Sequence, residues 1–173
     1  MRYFVSLILL SVLLINQACN KKNPDQPADN YEMTFIKDGL SDTLITSYCT
    51  IKPNSLTPSI TDFTVAAHSK DFKINVAITI QMNGILNTGV YETAAESDYY
   101  SVTANYYKDL GESGQRDFTI DNAQERPNSA LTVNITSIDN NQVKGTFSCN
   151  YLYDRIHDET ITITDGNFVA RRL

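Results

Sequence analysis

An all-β fold, an antiparallel β-sandwich or alternatively a β-barrel of about eight to ten short strands, is predicted by three observations. From Tyr31 onward apolar and polar residues alternate with period two in most segments. Turn-forming clusters such as Asn83-Gly84 and Asp139-Asn-Asn141 interrupt these runs, and no segment carries a convincing apolar period of 3.6. The composition agrees, with abundant Thr, Asn and ten Tyr but no Trp. At 173 residues the chain has room for one ordinary domain once an N-terminal segment is set aside. Fourteen Lys+Arg against twenty Asp+Glu, a net charge of −6, argue against nucleic acid as a partner, since that affinity needs a concentrated basic face.

The first element is a leader. Arg2 precedes twelve largely apolar residues, Phe4 to Ile15, followed by Asn16-Gln17-Ala18-Cys19. That run is too short to cross a hydrocarbon layer of roughly 30 Å, and a basic start with a small residue before the cut suits a signal peptide over residues 1–18. Its Ala18-Cys19 junction resembles that of bacterial lipoprotein precursors, as found in Bacteroidota. The resemblance implies that Cys19 is acylated and holds the protein to a membrane through lipid. Residues 19–30, with Pro24 and Pro27 and no large apolar side chain, cannot bury enough surface to offset ordering, so they read as a flexible tether. The expected location is the cell envelope, at the outer membrane. Lys21 and Lys22 stand where exported surface lipoproteins carry acids, so both periplasm-facing and surface-facing anchoring stay open.

Residues 31–173 form the single expected domain. The clearest strand alternates Phe72, Ile74, Val76, Ile78, Ile80 and Met82 against Lys73, Asn75, Ala77, Thr79 and Gln81. Val143, Gly145, Phe147, Cys149, Tyr151 and Tyr153 form a second inward row, and Leu131, Val133 and Ile135 a third. Other strands are expected over 31–37, 43–52, 60–69, 99–108, 118–121, 160–164 and 167–171. A helical turn fits only Glu92 to Ser97.

The C-terminal third, Gly145-Thr-Phe147 followed by Ile161-Thr-Ile-Thr-Asp-Gly166-Asn-Phe168, resembles the ending of small Bacteroidota lipoproteins with a β-sandwich domain. The resemblance implies fold and location and brings no activity with it. Each Gly is read as relieving a bend while the Phe two residues on enters the core.

Cys49 and Cys149 both fall on expected inward faces, in an oxidising compartment. A disulfide closing about 100 residues would stabilise by up to roughly 4 to 5 kcal/mol; two buried free thiols are the competing reading.

Catalytic signatures are weak. His157 lies in Asp154-Arg-Ile-His-Asp-Glu159, where sequence neighbours point apart, so a solvated hairpin loop is preferred to a metal site. No Gly-x-Ser-x-Gly elbow accompanies His68 or His157, and no phosphate loop or CxxC is present. Asp98, Asp109, Glu112, Asp117 and Asp121 could supply a carboxylate pair, but spacing alone brings none together. Tyr99, Tyr100, Tyr106 and Tyr107 are the candidate ligand-binding residues, because exposed rings stack on sugars or anchor partners; cross-strand packing is the competing use. The expectation is therefore a non-enzymatic, lipid-anchored envelope protein without cofactor or metal. It would be a binding, accessory or structural module for a protein or glycan partner. The alternatives are a glycan-binding accessory module and a carboxylate-dependent hydrolase.

Overall fold

A computed structural model describes residues 30–93, 99–120 and 130–173. The expected signal segment, Cys19 and residues 20–29 of the expected tether lie outside the described residues. Ten strands are present among those described: β1 (Glu32–Lys37), β2 (Leu40–Pro53), β3 (Ile60–His68), β4 (Ile74–Asn83), β5 (Gly89–Glu92), β6 (Tyr100–Lys108), β7 (Arg116–Ile120), β8 (Ala130–Ile138), β9 (Gln142–Asp154) and β10 (Glu159–Arg172). The all-β prediction holds. Hydrogen bonding follows the order β1-β10-β2-β3-β4-β6-β7-β9-β8-β5, and β1 also pairs with β2 and β10 with β9. These extra pairings curl the sheet into a flattened ring, between a sandwich and a barrel. Every ladder is antiparallel except one short contact, where Arg171 and Arg172 run parallel to Tyr48 and Cys49.

Period two explains the packing. Val76, Ile78 and Ile80 of β4 are almost fully buried, as are Leu131, Val133 and Ile135 of β8. Phe35, Phe63, Tyr106, Phe118, Phe147 and Phe168 fill the interior between the two faces of the ring. The Asp139 turn forms as expected, its carboxylate accepting the N–H groups of Asn141 and Gln142 at 2.7 and 2.8 Å.

Bulges produce most of the departures. At Tyr151, where φ is +62°, β9 gains a residue relative to β10, so Leu152 and Asp154 turn inward and Tyr151 is half exposed. Tyr151 and Tyr153 are therefore not part of the inward row. A second irregularity between Ile45 and Tyr48 places Leu44, Ser47 and Cys49 inside and leaves Ile45 exposed. Phe72 does not begin β4. It sits in the preceding turn at φ +61°, 64% exposed and stacked on His68 at 4.2 Å, because the chain must reverse there. The two strands expected over 160–164 and 167–171 are one, β10, continuous through a bulge at Asp165. β5 was not anticipated; it takes in Glu92, and residues 94–98 of the expected helical turn lie outside the described residues.

Each glycine of the C-terminal motif borders a bulge, as expected: the register shifts between Ile163 and Gly166 on β10, and between Ile135 and Ser137 on β8, opposite Gly145 and Lys144. Gly166 faces Phe147 and Gly145 faces Phe168 across the β9–β10 ladder. A Cβ on Gly145 would meet the Phe168 ring at 2.5 Å, and one on Gly166 would meet the Phe147 ring at 2.6 Å. Each glycine leaves the slot that the opposite ring fills.

The disulfide reading is corrected. Both thiols are free and buried. Cys49 lies beside Arg172 and Cys149 opposite Ile163, nine positions apart on β10, which along a strand is on the order of 30 Å. A disulfide needs Cα atoms within about 7 Å. Burial pushes the Cys49 thiol up to about 11, against a lowering by Arg172, and pushes Cys149 up to about 12.

Candidate functional site

The four tyrosines separate by face. Tyr106 is 1% exposed and belongs to the core, in edge contact with Phe35 and Phe118. Tyr100 packs against the core at the other end of β6, edge-on to Tyr91 at 5.3 Å, and its hydroxyl accepts the Glu92 N–H. Tyr99 is 74% exposed, and Tyr107 is half-buried eight residues away, roughly 26 Å along an extended chain. No continuous aromatic strip results, so the platform expected for a glycan reader is not formed by these residues.

The β9–β10 turn is more than a solvated loop. Asp154 ends the inward row of β9, and its side chain is 1% exposed. One carboxylate oxygen accepts the N–H groups of Ile156 and His157; the other accepts the Asp117 N–H at 3.3 Å and lies 2.7 Å from His157 Nδ1. Burial pushes this carboxyl up, but the His157 side chain and the three amides outweigh it and hold it below its ordinary value. Asp117, on β7 beside it, shifts the other way, raised by burial and then by the charge of Asp154. One Asp117 oxygen is buried without a hydrogen-bond partner. The sequence placed Asp117 among several carboxylates and missed Asp154 as its partner. The inward turn of Asp154 depends on the Tyr151 bulge, which alternation does not announce. Asp109 and Glu112 sit on the β6–β7 turn, Glu112 bound to Lys73 at 2.7 Å, while Asp98 and Asp121 lie outside the described residues.

Two recesses lie at opposite ends of β1 and β10. The first, about 520 Å³, opens where the chain enters at Asn30 and is lined by Tyr31, Ile45, Tyr48, Arg171 and Leu173. Ser47 forms part of it, 1% exposed, with a hydroxyl that has no partner. The groove lies where β2 leaves β1 at Ile45 and meets the end of β10 at Tyr48.

The second recess, about 390 Å³, is the mouth of the ring at the far ends of both strands. Tyr106, Phe118 and Ile161 form its floor, and Lys37, Lys108, Arg116, Asp38 and Glu159 surround it. Phe35 touches Tyr106 at 6.3 Å and Tyr106 touches Phe118 at 6.0 Å, so three strands contribute one aromatic layer beneath it. Burial pushes the Tyr106 hydroxyl up to about 12, aided by Asp42, Asp38 and Asp109, so it remains a hydrogen-bond donor at neutral pH.

Among the described residues no group of three or more His, Cys, Asp or Glu side chains could hold a metal ion. No helix of the described residues is long and apolar enough to cross a membrane. Compared with known proteins, the chain matches no family model, and no similar curated protein or solved structure is found.

Proposed function

We propose that this is a non-enzymatic envelope protein, anchored at the outer membrane by lipid on Cys19, that binds a ligand with the mouth of its β-ring. The observation that carries the binding reading is the mouth itself: a recess of about 390 Å³ with an aromatic floor and a charged rim. That size lies within the range of small-molecule sites. Its position supports the anchoring geometry, since β1 leads from Asn30, where the tether would end, to Lys37 at the rim. The apolar leader and the Ala18-Cys19 junction support the anchor.

Mass spectrometry of the mature N-terminus tests the anchor. The expected result is an acylated Cys19, and Cys19→Ala releases the domain from the membrane fraction. A mature chain that begins elsewhere, or carries an unmodified Cys19, overturns it.

A carboxylate-dependent hydrolase is the second reading, favoured by the opposite shifts of Asp117 and Asp154, which suit an acid and a base. Turnover of chromogenic glycosides or esters that is lost in Asp117→Asn would replace the binding reading.

A further inference from the structure

We infer that the end of the ring opposite the mouth rests on the lipid bilayer, with Leu56, Ile85 and Tyr99 entering the headgroup layer. This goes beyond the binding reading above and rests on its lipid anchor.

Strand directions bring these residues together. β2 and β4 run opposite to β1, and β6 starts where β4 ends, so the loop after β2, the loop after β4 and Tyr99 all lie at the end where β1 begins. Hydrogen bonds join the three segments. The Gly84 N–H donates to the Ser59 carbonyl at 3.2 Å, the Thr61 hydroxyl to the Gly84 carbonyl, and the Asn83 N–H to the Tyr99 carbonyl at 2.8 Å. Each tip is also held from within. The Asn54 side chain accepts the N–H groups of Leu56 and Thr57 at 2.9 and 3.0 Å, and the Asn87 side chain donates to the Ile85 carbonyl at 2.9 Å. Leu56 is nonetheless 92% exposed, Ile85 80% and Tyr99 74%. Ordered loops therefore present these side chains as a group, which singly scattered apolar residues do not form. Behind them a shallow recess of about 220 Å³, lined in part by Ile60, Met82 and Tyr100, continues the apolar surface.

Charge separates this end from the other. No charged residue occurs from Pro53 to Thr61 or from Ile74 to Tyr91, although 20% of the chain is charged. The four turns at the mouth end also expose apolar side chains, Leu40, Phe72, Leu110 and Ile156, but Asp38, Asp71, Asp109 and Arg155 stand within two positions of them. Pressing those turns into lipid would strip water from charges, a cost that the uncharged loops avoid. Tyr suits the headgroup level, and Leu and Ile the apolar side of it.

The chain leading to Cys19 permits the contact. β2 continues eight residues past Ile45, the partner of Glu32, so its end lies on the order of 27 Å from the start of β1. Eleven peptide steps from Cys19 to Asn30 span up to about 36–40 Å. A lipid at Cys19 then holds the loops near the bilayer at an effective concentration on the order of millimolar, where three side chains suffice without independent affinity.

The test uses the acylated protein made from the full chain in a bacterial host and reconstituted on vesicles of phosphatidylethanolamine and phosphatidylglycerol. Leu56→Cys, Ile85→Cys and Ile156→Cys each carry a nitrobenzoxadiazole probe; Cys49 and Cys149 are buried and do not take the label. Probes at 56 and 85 are expected to shift to the blue and to be quenched by lipid with brominated acyl chains, while the probe at 156 stays as in water. Leu56→Asp with Ile85→Asp should return a probe on Tyr99→Cys to water without lowering the melting temperature. Probes at 56 and 156 that behave alike, whether in water or in lipid, overturn the contact. A concentration-dependent shift at 56 without vesicles assigns this end to a second copy, and a shift seen only on native membranes assigns it to an envelope protein; either result overturns the bilayer. An unmodified Cys19 on a chain that does not float with vesicles overturns the anchor and the contact together. An acylated chain that floats while the probe at 56 stays in water overturns the contact alone.

Discussion

Asp154 is buried and ionised, which is possible only because four donors converge on it. The protein therefore depends on its charge. An acid held below its ordinary 3.8 contributes stability that is present above the ordinary carboxylate range and is lost as pH falls through the lowered value. Asp154→Asn should destabilise by about 1–3 kcal/mol at pH 7, the cost of disrupting hydrogen bonds to a buried charge, and should flatten the acid limb of the stability curve. Asp117 has the opposite sign. Its raised carboxyl imposes a penalty above that raised value, and the penalty disappears once both folded and unfolded forms are protonated. Asp117→Asn is accordingly expected to hold or raise the melting temperature at pH 7, and to lose that advantage below the ordinary carboxylate range. Thermal melts from pH 3 to 8 check both variants; parallel pH profiles for the two would contradict the opposed shifts.

At the scale of the strand, β9 and β10 are joined through reciprocal exchange of glycine and phenylalanine. Because each ring occupies the space above the opposite glycine, the ladder tolerates a methyl group at neither position. A Cβ at residue 166 would also lie 2.5 Å from the Phe147 carbonyl oxygen, and one at 145 would lie 2.6 Å from that of Asn134. Gly145→Ala and Gly166→Ala should each cost about 1–3 kcal/mol through overpacking, and Phe147→Ala or Phe168→Ala about 3–5 kcal/mol through lost burial. Trimming the ring should not rescue Gly166→Ala, since the backbone oxygen stays in place. Denaturant melts of the single variants and the Gly166→Ala/Phe147→Ala pair test this, and full rescue would refute it. Against the 5 to 15 kcal/mol that typically holds a domain together, any one of the Phe changes is severe.

For the whole molecule, the decisive feature is how the ring closes. β3 and β4 share a nine-residue ladder, as do β4 and β6, whereas β7 meets β9 through the single pair Thr119 and Tyr153. The Asp117 N–H on Asp154 reinforces that seam, and Arg116 ties β7 to Glu159 at the start of β10. Local opening follows the fewest shared hydrogen bonds. Amide hydrogen exchange should therefore be faster in β7 and in the four-residue β5 than in β3 and β4, and Asp154→Asn should accelerate β7 further. Uniform protection across β3, β4 and β7 would show the ring to be equally strong throughout.

What the chain settles locally is the direction of each side chain within a regular strand, because period two is a property of the backbone. That is enough for the all-β class, for the buried rows of β4 and β8, for the Asp139 turn and for the burial of Phe147 and Phe168. Tertiary structure alone decides the rest. Alternation reads the same through a bulge as through a straight ladder, so the inward turn of Asp154, the exposure of Phe72 and the unity of β10 were not legible. Two inward cysteines look bondable until β10 is found to hold them far apart. The charged mouth is the same kind of fact: Phe35 and Lys37 are distant in sequence from Tyr106, Lys108, Arg116 and Phe118, and only ring closure, set by non-local pairing, brings them to one opening.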